Sequence, residues 1–133
     1  YQNDEIIYTL DTHFDDYLTT AEGKSLPVPH CIKGTVGHKL YGGLADALKG
    51  KLCFEKNTFP SLEMAKYLEG KDFDTIELCG LVSNICVLSN AVMAKSACPN
   101  SEIIVASSLT AAADEEIHQK SLDVMKGLFI KVL

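Results

Sequence analysis

The stretch Thr75-Ile-Glu-Leu-Cys-Gly-Leu-Val-Ser-Asn-Ile-Cys86-Val-Leu88 runs from an apolar strand pattern through a short turn into the start of a helix. Such a passage is half of a βαβ unit, and it sets Cys86 at the mouth of the helix. There a thiol faces backbone N–H groups without intrahelical partners and the positive end of the helix dipole; both favour thiolate over thiol. Backbone N–H groups of the turn 81–86 are also placed to stabilise an oxyanion, worth roughly 3 kcal/mol per donor.

Outward from this stretch the same alternation repeats. Glu5 to Leu10 reads as a strand ending at Asp11, and Lys51 to Glu55 as a second ending at Lys56. Asp74 to Gly80 is the third and Glu102 to Ala106 the fourth, with Ser107 to Thr110 following it; Leu128 to Leu133 closes the chain as a last strand. Between them, Ser61 caps a helix over Leu62–Leu68 that stops before Gly70. A helix over Ile85–Ala97 ends at Pro99, and one over Asp114–Lys126, acidic at its start, ends at Gly127. Residues 14–50, with Pro27, Pro29, Gly23, Gly34, Gly37, Gly42 and Gly43, form a long irregular excursion with a short helical turn at Leu44–Leu48. A connection of that length in a compact domain is usually functional. Strands alternating with amphipathic helices imply parallel pairing with right-handed crossovers: a three-layer α-β-α domain with a mainly parallel, Rossmann-like sheet over residues 1–133.

Composition excludes several classes. The 133 residues carry a net charge of −6, leaving no basic surplus for nucleic acid. No apolar run approaches the roughly 20 residues that span a bilayer. The five cysteines (Cys31, Cys53, Cys79, Cys86, Cys98) are odd in number and lack a C-x-x-C, so they read as reduced thiols of a cytoplasmic protein. Cys53 and Cys79, inside strands, read as inert buried hydrophobes, and Cys98 as lying at a helix end.

Ligands of open parallel sheets bind outside the carboxyl ends of the strands. Asp11, His13, Lys56, Ser83 to Cys86 and Ser107 to Thr110 all fall there by sequence position. Lys56 beside a thiol favours the thiolate, although most lysines are simply solvated. Asp11-Thr-His13 points two donors the same way from an extended segment, and His30 adds a second imidazole. Such a set suits zinc, iron or manganese with positions left open. A hydrogen-bonded turn with unconnected histidines accounts for the same spacing equally well. His38 and His118 read as solvent-facing.

These residues resemble the isochorismatase-like cysteine hydrolases, and among them the nicotinamidase-related amidases. Leu78-Cys-Gly-Leu-Val-Ser-Asn-Ile-Cys86-Val is similar to the family's nucleophile segment, and Phe54-Glu-Lys56-Asn-Thr-Phe59 to the segment with its catalytic lysine. Asp11-Thr-His13 and Pro29-His30-Cys-Ile-Lys-Gly34-Thr35-Val-Gly37 are similar to the D-x-H and P-H-C-x-x-G-T-x-G elements of metal-binding members. The resemblance implies Cys86 as nucleophile with Lys56 as partner, and hydrolysis of a small amide such as nicotinamide through a thioester. It further implies an oxyanion hole from the N–H groups of Val82 and Cys86, and a cis peptide between Leu81 and Val82. Substrate contacts would come from Phe14, Ser83 and Asn84, and a divalent metal would sit on Asp11, His13 and His30. Self-association into a homo-oligomer is also implied. Thr12 stands where nicotinamidases usually carry an aromatic residue, so other small amides, carbamoyl or ureido compounds among them, stay open.

One departure bears on catalysis. The family's catalytic aspartate closes a first, central strand, and no counterpart is found; Asp4 precedes the Leu10 strand and would lie at the wrong sheet edge. The chain starts at Tyr1 and enters a strand almost at once. We therefore expect an N-terminally truncated piece lacking the first βα unit, with residues 1–4 the end of the preceding helix or its loop. A gap is expected between the strands ending at Leu10 and Gly80, and weak folding or low activity. A noncatalytic small-molecule or metal-binding module is the competing reading. A redox-sensing role has little behind it, because no resolving cysteine lies close to Cys86 in sequence.

Overall fold

A computed structural model describes residues 4–133, with residues 1–3 outside the described set; the described residues form two compact units, divided after Thr58. The expectation for residues 1–4 therefore falls outside it except at Asp4, which is exposed.

In the first unit β1 (Ile7–Asp11) pairs in parallel with β2 (Leu52–Lys56), and their last residues, Asp11 and Lys56, are register partners. The excursion between them is more ordered than the sequence suggests. It holds α1 (Ala21–Ser25), α2 (Leu44–Ala47) and two single turns of 3-10 helix. Thr20 caps α1 by accepting from the Gly23 N–H at 3.0 Å. Gly23 has a steric reason to be glycine: a Cβ there would lie 2.0 Å from the carbonyl oxygen of Tyr17. His13 and Ile32 form an isolated parallel bridge, with the His13 N–H on the Cys31 carbonyl (3.0 Å) and the Lys33 N–H on the His13 carbonyl (2.8 Å).

The second unit holds α3 (Leu62–Leu68), β3 (Thr75–Leu81), α4 (Leu88–Ala97), β4 (Glu102–Ala111), α5 (Glu115–Gly127) and β5 (Lys131–Val132). Its sheet is parallel in the order β3-β4-β5. Ile103, Val105, Met125 and Ile130 are almost fully buried, and Ala91 and Ala94 let α4 approach closely. Ser61 caps α3 as expected, accepting from the Met64 N–H at 3.1 Å. Asp114 caps α5 in the same way through Ile117.

The parallel α/β architecture is the expected one. Pairing falls into two sheets, β1-β2 and β3-β4-β5. Three details differ from the sequence reading. Strand β4 continues through Ser107–Ala111 because a register shift lets Thr110 and Ala111 pair with Gly80 and Leu81; these residues do not follow the strand. The helix expected from Ile85 is α-helical only from Leu88, because Ser83–Val87 form one turn of π-helix. Cys79 is exposed, since β3 alternates and Cys79 shares its open face with Glu77. Cys98, at the end of α4, is buried, with its thiol on the Leu68 carbonyl.

Candidate active site

The chemistry-bearing residues form two clusters, one in each unit. In residues 1–58, the parallel register sets Asp11 beside Lys56, and Lys56 Nζ lies 3.4 Å from Asp11 Oδ1 and 3.1 Å from the Thr58 carbonyl. Lys56 is only 7% exposed, so its charge is held by these oxygens rather than by water. The other Asp11 oxygen, Oδ2, is 3.4 Å from His13 Nε2 and 3.5 Å from His30 Nε2. The His13–Ile32 bridge is what brings His30 there.

Sequence reasoning missed a fourth member. Glu22 Oε1 lies 3.5 Å from both His13 Nε2 and His30 Nε2. Its position depends on the capped helix α1 and on the close approach at Gly23; the one signal in the sequence is Thr20 placed to cap Ala21-Glu22-Gly23. Asp11, His13 and His30 offer ligand atoms within 4.8 Å of one another. His13 Nε2 is buried without a hydrogen-bond partner, which a neutral imidazole tolerates poorly unless its lone pair has another use. His30 Nδ1 lies 2.8 Å from the Val28 carbonyl; a carbonyl only accepts, so Nδ1 carries a proton and Nε2 is the ring nitrogen that faces the cluster. Donors bound at about 2.0–2.1 Å to a tetrahedral ion stand about 3.3–3.4 Å apart, close to the four histidine–carboxylate separations of 3.4, 3.5, 3.5 and 3.5 Å. The donor set fits a divalent cation.

Tyr17, 1% exposed, closes one side of this cluster with its ring edge-on to His13 and His30 (centroids 4.8 and 5.1 Å). Its hydroxyl donates to the Leu26 carbonyl at 2.8 Å. Burial, with the Glu22 and Asp11 carboxylates nearby, raises its pKa above the usual value. The folded chain thus keeps this proton to higher pH than the unfolded chain, which binds fewer protons once pH passes about 10. Stability is expected to fall as pH rises through that window, and Tyr17→Phe to flatten the fall. Urea unfolding midpoints at about pH 9 and about pH 11 check this. His38, expected in solvent, instead places Nε2 2.8 Å from Thr12 Oγ1, steadying the residue between Asp11 and His13. Phe14 is 54% exposed.

In residues 59–133, β3 ends in a cis peptide between Leu81 and Val82, as the resemblance implies, and the turn Ser83–Val87 follows. The Val82 carbonyl accepts from the N–H groups of Ile85 (3.2 Å) and Val87 (3.1 Å). Cys86 is half-buried at the head of α4. Its carbonyl accepts from Asn90 Nδ2 at 2.8 Å, while the same buried amide bonds the Phe59 carbonyl and the Ser61 N–H. Asn84 is half-buried; Ser83 is fully buried, with its hydroxyl 2.9 Å from His118 Nδ1, so His118 is not the solvent-facing residue expected.

The model of the isochorismatase domain matches residues 2–133. The chain belongs to the isochorismatase family. No curated protein matches it. Among solved structures it is similar to a pyrazinamidase/nicotinamidase from Streptococcus mutans, at TM-score 0.85 and 27% identity over 99% of this chain and 77% of that one. A nicotinamidase/pyrazinamidase from Bacillus subtilis aligns at 0.83 and 26% over 98% and 75%. A pyrazinamidase from Pyrococcus horikoshii, solved with zinc, shares the fold at TM-score 0.79 and 20% identity over 99% and 76%.

Proposed function

We propose that this isochorismatase-family chain is a cysteine-dependent hydrolase of a small amide, with nicotinamide or a related C–N bond as substrate. The observation that carries the reading is the thiol of Cys86, half-buried at a helix head in a turn whose carbonyl is fixed by Asn90. Family membership and the names of the Streptococcus and Bacillus neighbours support the reaction type and substrate.

In this reading the Cys86 thiolate attacks the carbonyl carbon, and the N–H groups of Val82 and Cys86 receive the oxyanion. Collapse forms a thioester and breaks the C–N bond, and the nitrogen leaves as ammonia after gaining a proton. Water then hydrolyses the thioester, releasing the carboxylate and restoring the thiol. Lys56 is assigned the cationic role of the family's lysine, and Phe14 and Asn84 are assigned to substrate. Asp11, His13, Glu22 and His30 would hold a divalent metal, which when bound supplies a Lewis acid for a lone-pair atom of substrate or water.

The second reading, a noncatalytic module that binds metal and a small molecule, is favoured by one observation. Among the described residues no carboxylate takes the place of the family's catalytic aspartate: Asp4 lies before β1, at the opposite end of that strand from Asp11. Incubation with nicotinamide should release nicotinate and ammonia in equal amounts. Bound metal and bound nicotinamide with neither product would overturn the hydrolase reading and leave the module.

A further inference from the structure

We infer that His118 is a positioning residue for the Cys86 turn, acting through the hydroxyl of Ser83; this rests on the reading of Cys86 as nucleophile. Ser83 opens the turn and is 0% exposed, so its hydroxyl cannot be satisfied by bulk water. His118 Nδ1, at 2.9 Å, partners it. His118 itself is held from two sides. Its N–H donates to the Asp114 carbonyl (3.1 Å), and the Ser121 hydroxyl donates to its carbonyl (2.7 Å).

Along α5, His118 precedes buried Ser121, Leu122 and Met125 by three, four and seven positions, which puts it on the core-facing stripe. The turn is therefore pinned at two points by side chains from different helices. Asn90 of α4 holds the carbonyl of Cys86, and His118 of α5 holds the side chain of Ser83. The first fixes where the sulfur-bearing residue sits. The second fixes the start of the turn, directly after Val82, whose N–H is assigned to the oxyanion. A turn held at one end only would let the thiol and that N–H drift apart, and sub-ångström placement is what such a pair requires.

The test compares wild type with His118→Phe, His118→Asn, Ser83→Ala and the His118→Phe/Ser83→Ala double variant. Asparagine is the conservative rescue, because its amide presents a polar atom where the imidazole presents Nδ1. The readout is the alkylation rate of Cys86 by iodoacetamide at neutral pH, by peptide mass spectrometry. We expect H118F and S83A each to lower the rate by about fivefold or more, with H118N within about twofold of wild type. The double variant should be no slower than the slower single, as for two residues acting through one contact. Wild-type rates in H118F or S83A, additive losses, or failure of H118N to restore the rate would overturn the inference. Should H118F fail to fold, S83A carries the test, since it removes a single oxygen atom, with H118N as the polar replacement. Amide hydrogen exchange across residues 83–87 reads the tether without any catalysis. Protection lost in S83A and kept in H118N sustains it even if nicotinamide is never hydrolysed, and unchanged protection in S83A overturns it. Wild-type turnover alone decides the amidase reading.

Discussion

Replacing Cys86 by alanine is expected to bring nicotinamide hydrolysis to the uncatalysed rate while leaving the fold intact. Where the nucleophile of a covalent hydrolase has been deleted, the loss in kcat is on the order of a million-fold. A rate alone does not say which atom attacks. The thiol should therefore be read directly as well. Five cysteines serve as internal standards for one another. Cys98 is buried and bonded to the Leu68 carbonyl, so it should resist alkylation in the folded chain. Cys79 is exposed, so its rate reports access without activation. Cys86 is less accessible than Cys79, so faster alkylation at Cys86 identifies activation rather than exposure. If Cys86 reacts no faster than Cys79, and C86A leaves turnover unchanged, the nucleophile has been misassigned.

The second large effect concerns the cation cluster. Adding zinc to metal-stripped protein at about a hundred times its dissociation constant should stabilise the fold by about 2.7 kcal/mol. For a chain of this size that corresponds to a rise of about 10 °C in the unfolding midpoint. His13→Ala should abolish the rise, because it removes the buried Nε2 around which Asp11 and Glu22 are arranged. His30→Ala offers a milder check, since His30 is partly exposed. Glu22→Gln keeps the shape of the side chain but removes its charge. It should weaken zinc binding by about 10–100-fold, the range found when a carboxylate supporting a metal site is lost. A midpoint that ignores zinc in wild type, or a Glu22→Gln variant that binds zinc as tightly as wild type, would contradict the donor set described above.

How far the sequence carried depended on whether a signal was local. The first three strands announced themselves by short apolar runs, β-branched before Asp11, that stop at Asp11, Lys56 and Gly80. The capped helix at Ser61 needed only four residues to be read, and family motifs covered His13, His30, Lys56 and Cys86. What stayed hidden was set by tertiary contacts. Glu22 lies in a segment with no hydrophobic period, and its place depends on the Thr20 cap of α1 and on the close approach of Gly23 to the Tyr17 carbonyl. The partners of His38 and His118 come from 26 and 35 residues away, a separation no local pattern encodes. Strand β4 was cut short because Ser107, Ser108 and Thr110 look like loop residues, whereas the shifted pairing with β3 extends it. Cys79 was the avoidable error. Glu77, two positions earlier in the same strand, already marked that face as open.

The neck between His13 and His30 has a mechanical side. Both imidazoles lean on the same two carboxylates, and the backbone bridge from His13 to Ile32 clamps the base of the intervening segment. An ion gripped by those side chains would fasten a ring of chain shut like a clasp, repaying closure entropy that the bare polypeptide bears alone. On that view chelation loosens a whole strap carrying Tyr17 and α1, as well as taking away a Lewis acid.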